Sequence, residues 1–282
     1  MRINTNVNQL NAAEAAAISN RNLTSSLEKL SSGLRINKAS DDSSGLAIAD
    51  KLRTQASSIK QSISNANSAT SLIQIADKAM AEQSNILDIV KTKLIQAKTA
   101  TTSTDGRAAI LKDIQALLSQ VDNIASQTNY NGVTLLQKSA TVVSSAASLT
   151  FQVGELTGNT IVMGSGAANV KVFGLSGVQT WTGATSFAAT DAGTTLALVD
   201  TALTTLNTRR GDFGSVQNQL ESATRNMMTT HTNIKAAESV IRDVDYATES
   251  ANFNKQNIIA QAGTYAMSQA NSIQQNVLRL LQ

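Results

Sequence analysis

The fold is decided by residues 52–97, which read LRTQASSIKQSISNANSATSLIQIADKAMAEQSNILDIVKTKLIQA. Apolar residues recur along this stretch in alternating steps of four and three, with one extra step of three between Ile73 and Ala76. We call this row of positions a seam, and its only polar members are Thr70 and Gln83. It consists of Leu52, Ala56, Ile59, Ile63, Ala66, Thr70, Ile73, Ala76, Met80, Gln83, Leu87, Val90, Leu94 and Ala97. This spacing predicts one long helix with an apolar stripe, and such a stripe needs a partner helix to cover it.

A second seam with the same rhythm lies nearer the other end of the chain. It consists of Phe213, Val216, Leu220, Ala223, Met227, Thr230, Ile234, Ala237, Ile241 and Val244. Similar reasoning predicts helices at about 7–32, 46–98, 107–128, 195–239 and 247–281. We therefore expect a mainly α protein, in which both chain ends build a long antiparallel helical bundle or coiled coil around a small β-rich central region.

Residues typical of helix caps and turns support these helix limits. Gly33 sits where the residue after a helix end is commonly glycine. Four residues are candidate N-caps for the next helix, namely Asp41, Asp42, Ser43 and Ser44. The pair Asn131-Gly132 predicts a tight turn after the third helix.

The middle of the chain has a different character. Residues 149–153 alternate like a half-buried strand, and residues 160–163 provide a hairpin partner. Residues 164–193 are rich in Gly, Ala, Ser and Thr and contain the only tryptophan, Trp181. We expect short strands or loops there, with partial disorder as the alternative.

The composition favours long uninterrupted helices and excludes several classes of chemistry. The chain of 282 residues has no proline, which breaks helix interiors, and no cysteine for a disulfide or a thiolate site. Charged residues make up only 15%, and the net charge of +3 is spread without basic runs or aromatic platforms. We therefore expect no nucleic-acid partner.

No constellation of catalytic or ligand-binding residues occurs. His231 is the only histidine, which excludes a multi-histidine metal site, and it lies beside the seam as a flank or surface residue. The sequence contains neither a phosphate-binding glycine loop nor a nucleophile elbow. We expect no enzyme activity, no cofactor and no metal.

The last helix carries more apolar surface than one partner can cover. Leu278 and Leu280 point roughly 200° apart at 100° per residue, so they face nearly opposite ways. Large apolar side chains stabilise by about 1.5–3 kcal/mol each when fully buried, and much of this gain is unrealised in a monomer. We predict that both ends are largely disordered in the free subunit and fold on assembly.

Membrane insertion is a weaker interpretation of the same tail. Polar residues such as Gln256, Gln261 and Gln274 interrupt it, and no window holds 18 consecutive apolar residues. The N-terminus lacks the apolar core of a cleaved signal peptide, so secretion would need a route that does not cleave one.

Eight short motifs lie toward the two ends of the chain, namely INTN at residues 3–6, LSSGLRIN at 30–37, GLAIA at 45–49, TNYNG at 128–132, FQVG at 151–154, DYATE at 245–249, QAGT at 261–264 and QNVLRLL at 275–281. Together they resemble bacterial flagellin, the subunit of the flagellar filament. The matches follow in order at both ends and leave 164–193 unmatched, as the variable outer part of the family usually is. The resemblance implies a structural subunit that polymerises into a helical propeller for motility.

The resemblance also implies an organisation and a set of partners. We expect a terminal-helix core domain at 1–44 and 245–282, a helical bundle domain with a β-hairpin at 45–155 and 195–244, and a variable outer region at 156–194. The implied partners are copies of the chain itself, an export chaperone, the filament cap and hook-junction proteins. The implied location is extracellular, in the flagellar filament.

Twelve apolar residues of the terminal helices are candidates for self-assembly. They are Leu23, Leu27, Leu30, Leu34, Ile258, Ile259, Tyr265, Ile273, Val277, Leu278, Leu280 and Leu281.

One stretch departs from the family pattern. Flagellins recognised by the animal Toll-like flagellin receptor carry a patch resembling Gln-Arg-Val-Arg-Glu-Leu-Ala-Val, whereas residues 88–95 read DIVKTKLI. The altered positions are Asp88, Ile89, Lys91, Thr92 and Lys93. Losing a guanidinium and a carboxylate should remove charge-assisted contacts, so we expect weak or no activation of that receptor, as for some flagellins of the epsilon class. The alternative is that these are merely solvent- and bundle-facing substitutions.

Two other functions compete with the filament subunit. A hook–filament junction protein shares the terminal helices, but resembles flagellin less closely in its motifs. A secreted adhesin or immune ligand would need a binding surface within 164–193.

Overall fold

The computed structural model describes residues 6–137, 148–181 and 187–280, and at residues 274 and 276–280 it describes the backbone alone. The protein divides into two compact units. The terminal unit combines the beginning of the chain up to Ala56 with its end from Thr232, and the central unit covers Ser57–His231.

Helices dominate the terminal unit. It contains α1 (Val7–Ser32), the start of α2 (Ser43–Lys98), the end of α5 (Ala189–Arg242) and α6 (Tyr246–Leu280). Asn6 caps α1 by accepting a hydrogen bond from the Gln9 N–H at 3.1 Å. Gly33 ends α1 in the left-handed conformation with φ +73°, which confirms the role expected for this glycine.

The two connectors of the terminal unit pair with each other. Leu34 forms an isolated antiparallel bridge with Asp243, and the Arg35 N–H donates to the Arg242 carbonyl at 2.6 Å. Asp42 accepts from the Gly45 N–H at 2.8 Å and so caps α2, as predicted. Asp41 instead accepts from the backbone of residues 37 and 38 and closes the turn within the connector.

The core of the central unit follows the two predicted seams. In α2, every seam residue from Ile73 to Ala97 is buried, and Gln83 is as buried as its apolar neighbours. From α5, Phe213, Val216, Leu220 and Met227 are buried. The third helix, α3 (Thr104–Gln127), begins three residues earlier than predicted because Ser103 caps it through the Gly106 N–H.

Two small hairpins follow α3. The first pairs β1 (Asn129–Tyr130) with β2 (Val133–Thr134) across the predicted Asn131-Gly132 turn. The second pairs β3 (Leu149–Gln152) with β4 (Thr160–Met163), which confirms the predicted hairpin.

Residues 164–181, the described part of the Gly-, Ala-, Ser- and Thr-rich segment up to Trp181, are more ordered than their composition suggests. No strand lies between residues 164 and 181, all of which the structure describes, so the short strands considered for this stretch are absent there. It contains instead the short helix α4 (Ser176–Gln179), preceded by turns at residues 170–174. Ala168, Val170 and Leu175 are completely buried. We call residues 164–181 the central strap. Residues 182–186 of the predicted segment lie outside the described residues.

Polar side chains of the bundle hold the central strap in place. Gln83 donates to the Ala168 carbonyl, and Asp122 accepts from the Val170 N–H at 2.9 Å. Gln115 donates to the carbonyls of Val178 and Trp181. Backbone groups that would otherwise be buried without partners are thereby satisfied, which explains how a segment with little regular secondary structure packs into a core.

Candidate functional site

In the terminal unit, α1 and α6 pack against each other through small side chains. One row of buried and half-buried positions on α1 is spaced in alternating steps of four and three. It consists of Ala12, Ala16, Ser19, Leu23, Ser26 and Leu30, of which four are alanine or serine. Because two helices approach most closely where side chains are small, this composition predicts a tight pair.

The matching face of α6 has the same spacing. It consists of Glu249, Phe253, Gln256, Ala260, Gly263, Met267 and Ala270, all half-buried. A Cβ added to Gly263 would lie 3.6 Å from the Cβ of Ala16, which places the two helices in direct contact at that point. The Asn6 side chain donates to the Ala270 carbonyl at 3.2 Å near the start of α1. We call these two sets of residues the inner seam.

Large apolar side chains lie on the opposite faces of both helices. Relative to the inner seam they are rotated by roughly 110–170°, at 100° per residue. We call this set the outer apolar residues, and it consists of Val7, Leu10 and Ile18 of α1 with Ile258, Tyr265 and Ile273 of α6. Leu10 is 59% exposed, Ile258 67% and Tyr265 74%. The helix pair thus leaves these six large apolar side chains exposed.

The predicted self-assembly residues divide between the two faces. Leu23 and Leu30 belong to the inner seam, and Leu34 is half-buried in the connector. Leu27, Ile258, Ile259, Tyr265 and Ile273 are exposed. The side chains of Val277, Leu278 and Leu280, and the whole of Leu281, lie outside the described residues.

Three exposed residues of α1 were missed by the sequence interpretation. Val7, Leu10 and Ile18 are outer apolar residues, but they stand outside the leucine stripe on which the prediction was based. A helical projection of α1 centred on its alanines and serines would have found them, because all three lie on the far side of that small-residue face.

A capped carboxylate marks the start of α6. Asp245 accepts hydrogen bonds from the Thr248 hydroxyl at 2.9 Å and from the Ala247 and Thr248 N–H groups. These bonds, that of the Thr248 hydroxyl first, hold the pKa of the Asp245 carboxyl below its ordinary value, because they favour the charged form. The ionised side chain therefore stabilises the first turn of the helix.

The altered receptor-patch positions lie on α2 in the central unit. Lys91 pairs with Asp200 of α5 at 2.7 Å, and Lys93 pairs with Asp113 of α3 at 2.8 Å. The hydrogen bond to Asp200 and the charge of that carboxylate raise the pKa of Lys91. Both lysines are thus engaged by neighbouring helices.

The remaining patch positions carry no side-chain ion pair within the described residues. Asp88 is exposed, and Ile89 is 46% exposed. The Thr92 hydroxyl donates to the Ile89 carbonyl at 2.7 Å, within the same helix.

The described residues offer no cluster of three or more His, Cys, Asp or Glu side chains that could hold a metal ion. His231 is half-buried. In the part of the chain that the structure covers, no helix has the length and apolarity needed to cross a membrane.

Comparison with known proteins places this helical architecture in a family. The model of the bacterial flagellin N-terminal helical region matches residues 3–141, and that of the C-terminal helical region matches residues 196–281. A flagellin of Bacillus subtilis (strain 168) is 37% identical, and a 30.7 kDa flagellar filament core protein of Treponema maltophilum is 34% identical, in each case over the full length of both proteins. The crystal structure of Bacillus cereus flagellin superposes with a TM-score of 0.50 at 26% identity, covering 62% of this chain and 94% of that one. The chain is therefore a member of the bacterial flagellin family.

Proposed function

We propose that this protein is the structural subunit that polymerises into the bacterial flagellar filament, the helical propeller used for motility. The observation that carries the proposal is the arrangement of the α1–α6 pair, in which most inner-seam side chains are small or polar and six large apolar residues face outward. Such a surface is suited to contacts with further helices, and copies of the same chain supply them.

Burial of the outer apolar residues supplies a driving force for this association. Side chains of this size contribute about 1.5–3 kcal/mol each on full burial, and the six are already partly covered. We estimate roughly 5–10 kcal/mol gross per subunit from these residues. This gain would offset a substantial part of the entropy lost on association.

We also propose that the ends of the chain become ordered through this association. Seven of the thirteen inner-seam residues are alanine, serine or glycine, which contribute little apolar area on burial. Helical stability in proteins comes largely from packing an amphipathic face, and the outer faces of this pair are not covered by any part of the subunit that the structure describes.

The organisation proposed for the subunit has three parts. Residues 1–44 and 245–282 would form the filament core, residues 45–155 and 195–244 the surrounding bundle, and residues 156–194 the outward-facing region. The core includes the self-assembly residues of both terminal helices, with Val7, Leu10 and Ile18 added to them.

The partners we propose follow from the family. They are copies of the chain itself, an export chaperone that guards the C-terminal helix, the filament cap that guides assembly and the junction proteins of the hook. The corresponding location is the extracellular filament, reached without membrane insertion. We propose no enzyme activity, no cofactor and no nucleic-acid partner, since flagellins are structural proteins.

Weak or absent activation of the Toll-like flagellin receptor is a further part of the proposal. Lys91 and Lys93 are held by Asp200 and Asp113, and the exposed position 89 carries an aliphatic side chain. An isoleucine cannot supply the donors of an arginine, and a threonine at position 92 cannot supply a carboxylate.

The two competing functions are less well supported. The relatives named flagellin and filament core protein favour a filament subunit over a junction protein. An adhesin would need a free surface in the middle of the chain, but much of the central strap is buried in the central unit.

Polymerisation of the purified full-length protein tests the proposal. Electron microscopy after seeding should show long filaments, and Ile258→Asp or Tyr265→Asp should abolish them, because a charge would be buried between subunits. Leu156→Asp is a matched control, since Leu156 is 69% exposed but lies in the β3–β4 loop of the central unit. Filaments formed equally well by Ile258→Asp and Tyr265→Asp would refute the proposed role of the outer apolar residues.

A further inference from the structure

The turn between β1 and β2 presents an unusually accessible asparagine. Asn131 has φ +50° and is the one residue other than glycine with a positive φ among the described residues. The next residue, Gly132, has φ +81°, and the two form the whole loop between the paired residues Tyr130 and Val133. Two successive positive φ values are typical of the type I′ turn, which favours Asn-Gly.

Nothing in the described structure shields this dipeptide. Both residues are exposed, and a Cβ built on Gly132 would meet no atom within 4 Å. Among the described residues, neither the Asn131 side-chain amide nor the Gly132 N–H takes part in a hydrogen bond. Within the described structure, the Asn131 amide and the Gly132 N–H are therefore free of competing contacts and open to water.

We propose that Asn131 is a site of spontaneous deamidation, at which the Asn131-Gly132 bond converts slowly to aspartyl and isoaspartyl forms. Hydroxide removes the proton from the Gly132 backbone nitrogen, and this nitrogen attacks Cγ of the Asn131 amide. A Cγ–N bond forms, the Cγ–Nδ2 bond breaks, and Nδ2 takes a proton and leaves as ammonia. The product is a five-membered succinimide.

Water then opens the succinimide at either of its two carbonyl carbons. Cleavage of the new Cγ–N bond gives an ordinary aspartate, whereas cleavage of the original peptide bond between positions 131 and 132 gives an isoaspartate. The net change is gain of water and loss of ammonia, and no electrons are transferred. Glycine favours the first step because it has no side chain to obstruct ring closure.

The two products should affect the hairpin differently. Aspartate tolerates the left-handed conformation, so it can preserve the turn while adding a negative charge. Isoaspartate inserts Cβ into the backbone, and a two-residue loop cannot hold an extra backbone atom without disturbing the pairing of Tyr130 with Val133. The disturbance reaches Leu135, whose N–H donates to the Thr128 carbonyl at 3.1 Å and whose side chain is buried.

Ageing of the purified full-length protein in mildly alkaline buffer tests the proposal. Peptide mapping by mass spectrometry should show conversion at Asn131 several-fold faster than at Asn129 or Asn159, which are exposed but precede Tyr130 and Thr160. The rate should rise with hydroxide concentration. Asn131→Gly keeps a residue suited to the turn and should eliminate the conversion.

A parallel sample in urea gives the reactivity of the unfolded sequence. Conversion at Asn131 in urea but not in the folded protein would overturn the proposal, because the turn would then protect the site. No conversion in either sample would overturn it as well.

The effect on the hairpin has its own measurement. The isolated isoaspartyl form should unfold at a lower temperature than fresh protein, whereas Asn131→Asp, which adds the charge without the backbone atom, should stay close to it. Equal unfolding temperatures for the isoaspartyl form and fresh protein would contradict the predicted disturbance of the hairpin.

Discussion

The Gln83 side chain donates from Nε2 to the Ala168 carbonyl at 2.9 Å and to the Val121 carbonyl at 3.1 Å. One completely buried amide on α2 thereby joins α3 and the central strap. Its other atom, Oε1, is buried and has no donor among the described residues. Gln83, a polar residue in the apolar seam of α2, thus links α2 with α3 and the central strap.

Replacing Gln83 by leucine should destabilise the central unit. The substitution fits the apolar seam, but it removes two hydrogen bonds and leaves the buried carbonyl of Ala168 without this donor. Removal of the unpaired Oε1 offsets part of the loss, and we expect a decrease of about 2 kcal/mol in the free energy of unfolding. Urea denaturation followed by the fluorescence of Trp181, the only tryptophan, measures it.

Gln61→Leu is the control for this prediction. Gln61 is an exposed glutamine of the same helix, and its side chain bonds only to Asn65 within that helix. Its replacement should change the free energy of unfolding by less than about 0.5 kcal/mol. Equal effects of the two substitutions would show that Gln83 does not link the central strap to the bundle.

Substitutions of Gly263 should separate close packing from helix propensity. Alanine places its Cβ at an ordinary contact distance of 3.6 Å from Ala16, and it should favour the helix by about 0.5–1 kcal/mol. Leucine exceeds the available space and should force α1 and α6 apart. We expect filaments from Gly263→Ala and few or none from Gly263→Leu, as judged by sedimentation and electron microscopy. Normal filaments from Gly263→Leu would rule out a tight inner seam.

The cap of α6 should make its first turn sensitive to acid. Because the pKa of Asp245 is lowered in the folded state, this carboxylate contributes stability above the ordinary pKa of an aspartate. That contribution is lost as the pH falls through the lowered pKa. The protection of the Thr248 amide against hydrogen exchange, relative to its intrinsic rate at each pH, should therefore fall in this acidic range in any state in which α6 is formed.

Asp245→Asn distinguishes titration of this group from general acid unfolding. Asparagine caps helices as well as aspartate but does not ionise. Exchange at Thr248 should therefore lose its pH-dependent protection in the variant. An identical acid profile in both proteins would assign the sensitivity to other groups.

Restoring the family pattern in the receptor patch should raise receptor signalling. The triple substitution Ile89→Arg, Thr92→Glu and Lys93→Leu returns a guanidinium, a carboxylate and an apolar side chain. Loss of the exposed Lys93–Asp113 pair should cost less than about 1 kcal/mol, so the fold should persist. A reporter-cell assay should show a lower half-maximal concentration than for the unmodified protein.

Ile75→Arg is a suitable control for that experiment. Ile75 is an exposed isoleucine of α2 outside the patch, and an arginine there introduces the same side chain as Ile89→Arg without restoring the patch. An unchanged response of the triple variant, or an equal response of Ile75→Arg, would contradict the interpretation of the patch.

Local sequence patterns sufficed for the long helices. The 3/4 spacing of Ile73, Leu87 and Leu94 places them on one face whatever the partner is, and all three are buried. The helix ends at Gly33 and Asp42 were also predictable, because capping depends on residues close in sequence.

Burial of the central strap was not predictable in the same way. Ala168 and Val170 carry little apolar area, and their burial depends on Gln83 and Asp122, which lie far away in sequence. The face of α1 that is buried also could not be identified from its large apolar residues. Large residues usually indicate the packed face, but in α1 it is Ala16 and Ser19 that are buried, while Leu10 and Ile18 are exposed.

The outward placement of Ile258 and Tyr265 has a consequence for mixtures of normal and altered subunits. A subunit with a charge at either position has an unchanged inner seam, so its α1–α6 pair can still form as it joins a growing end. The incorporated variant would then present a charged outer surface to the next subunit that binds. Such a variant should inhibit polymerisation dominantly, so that filaments become shorter even when normal subunits are in large excess.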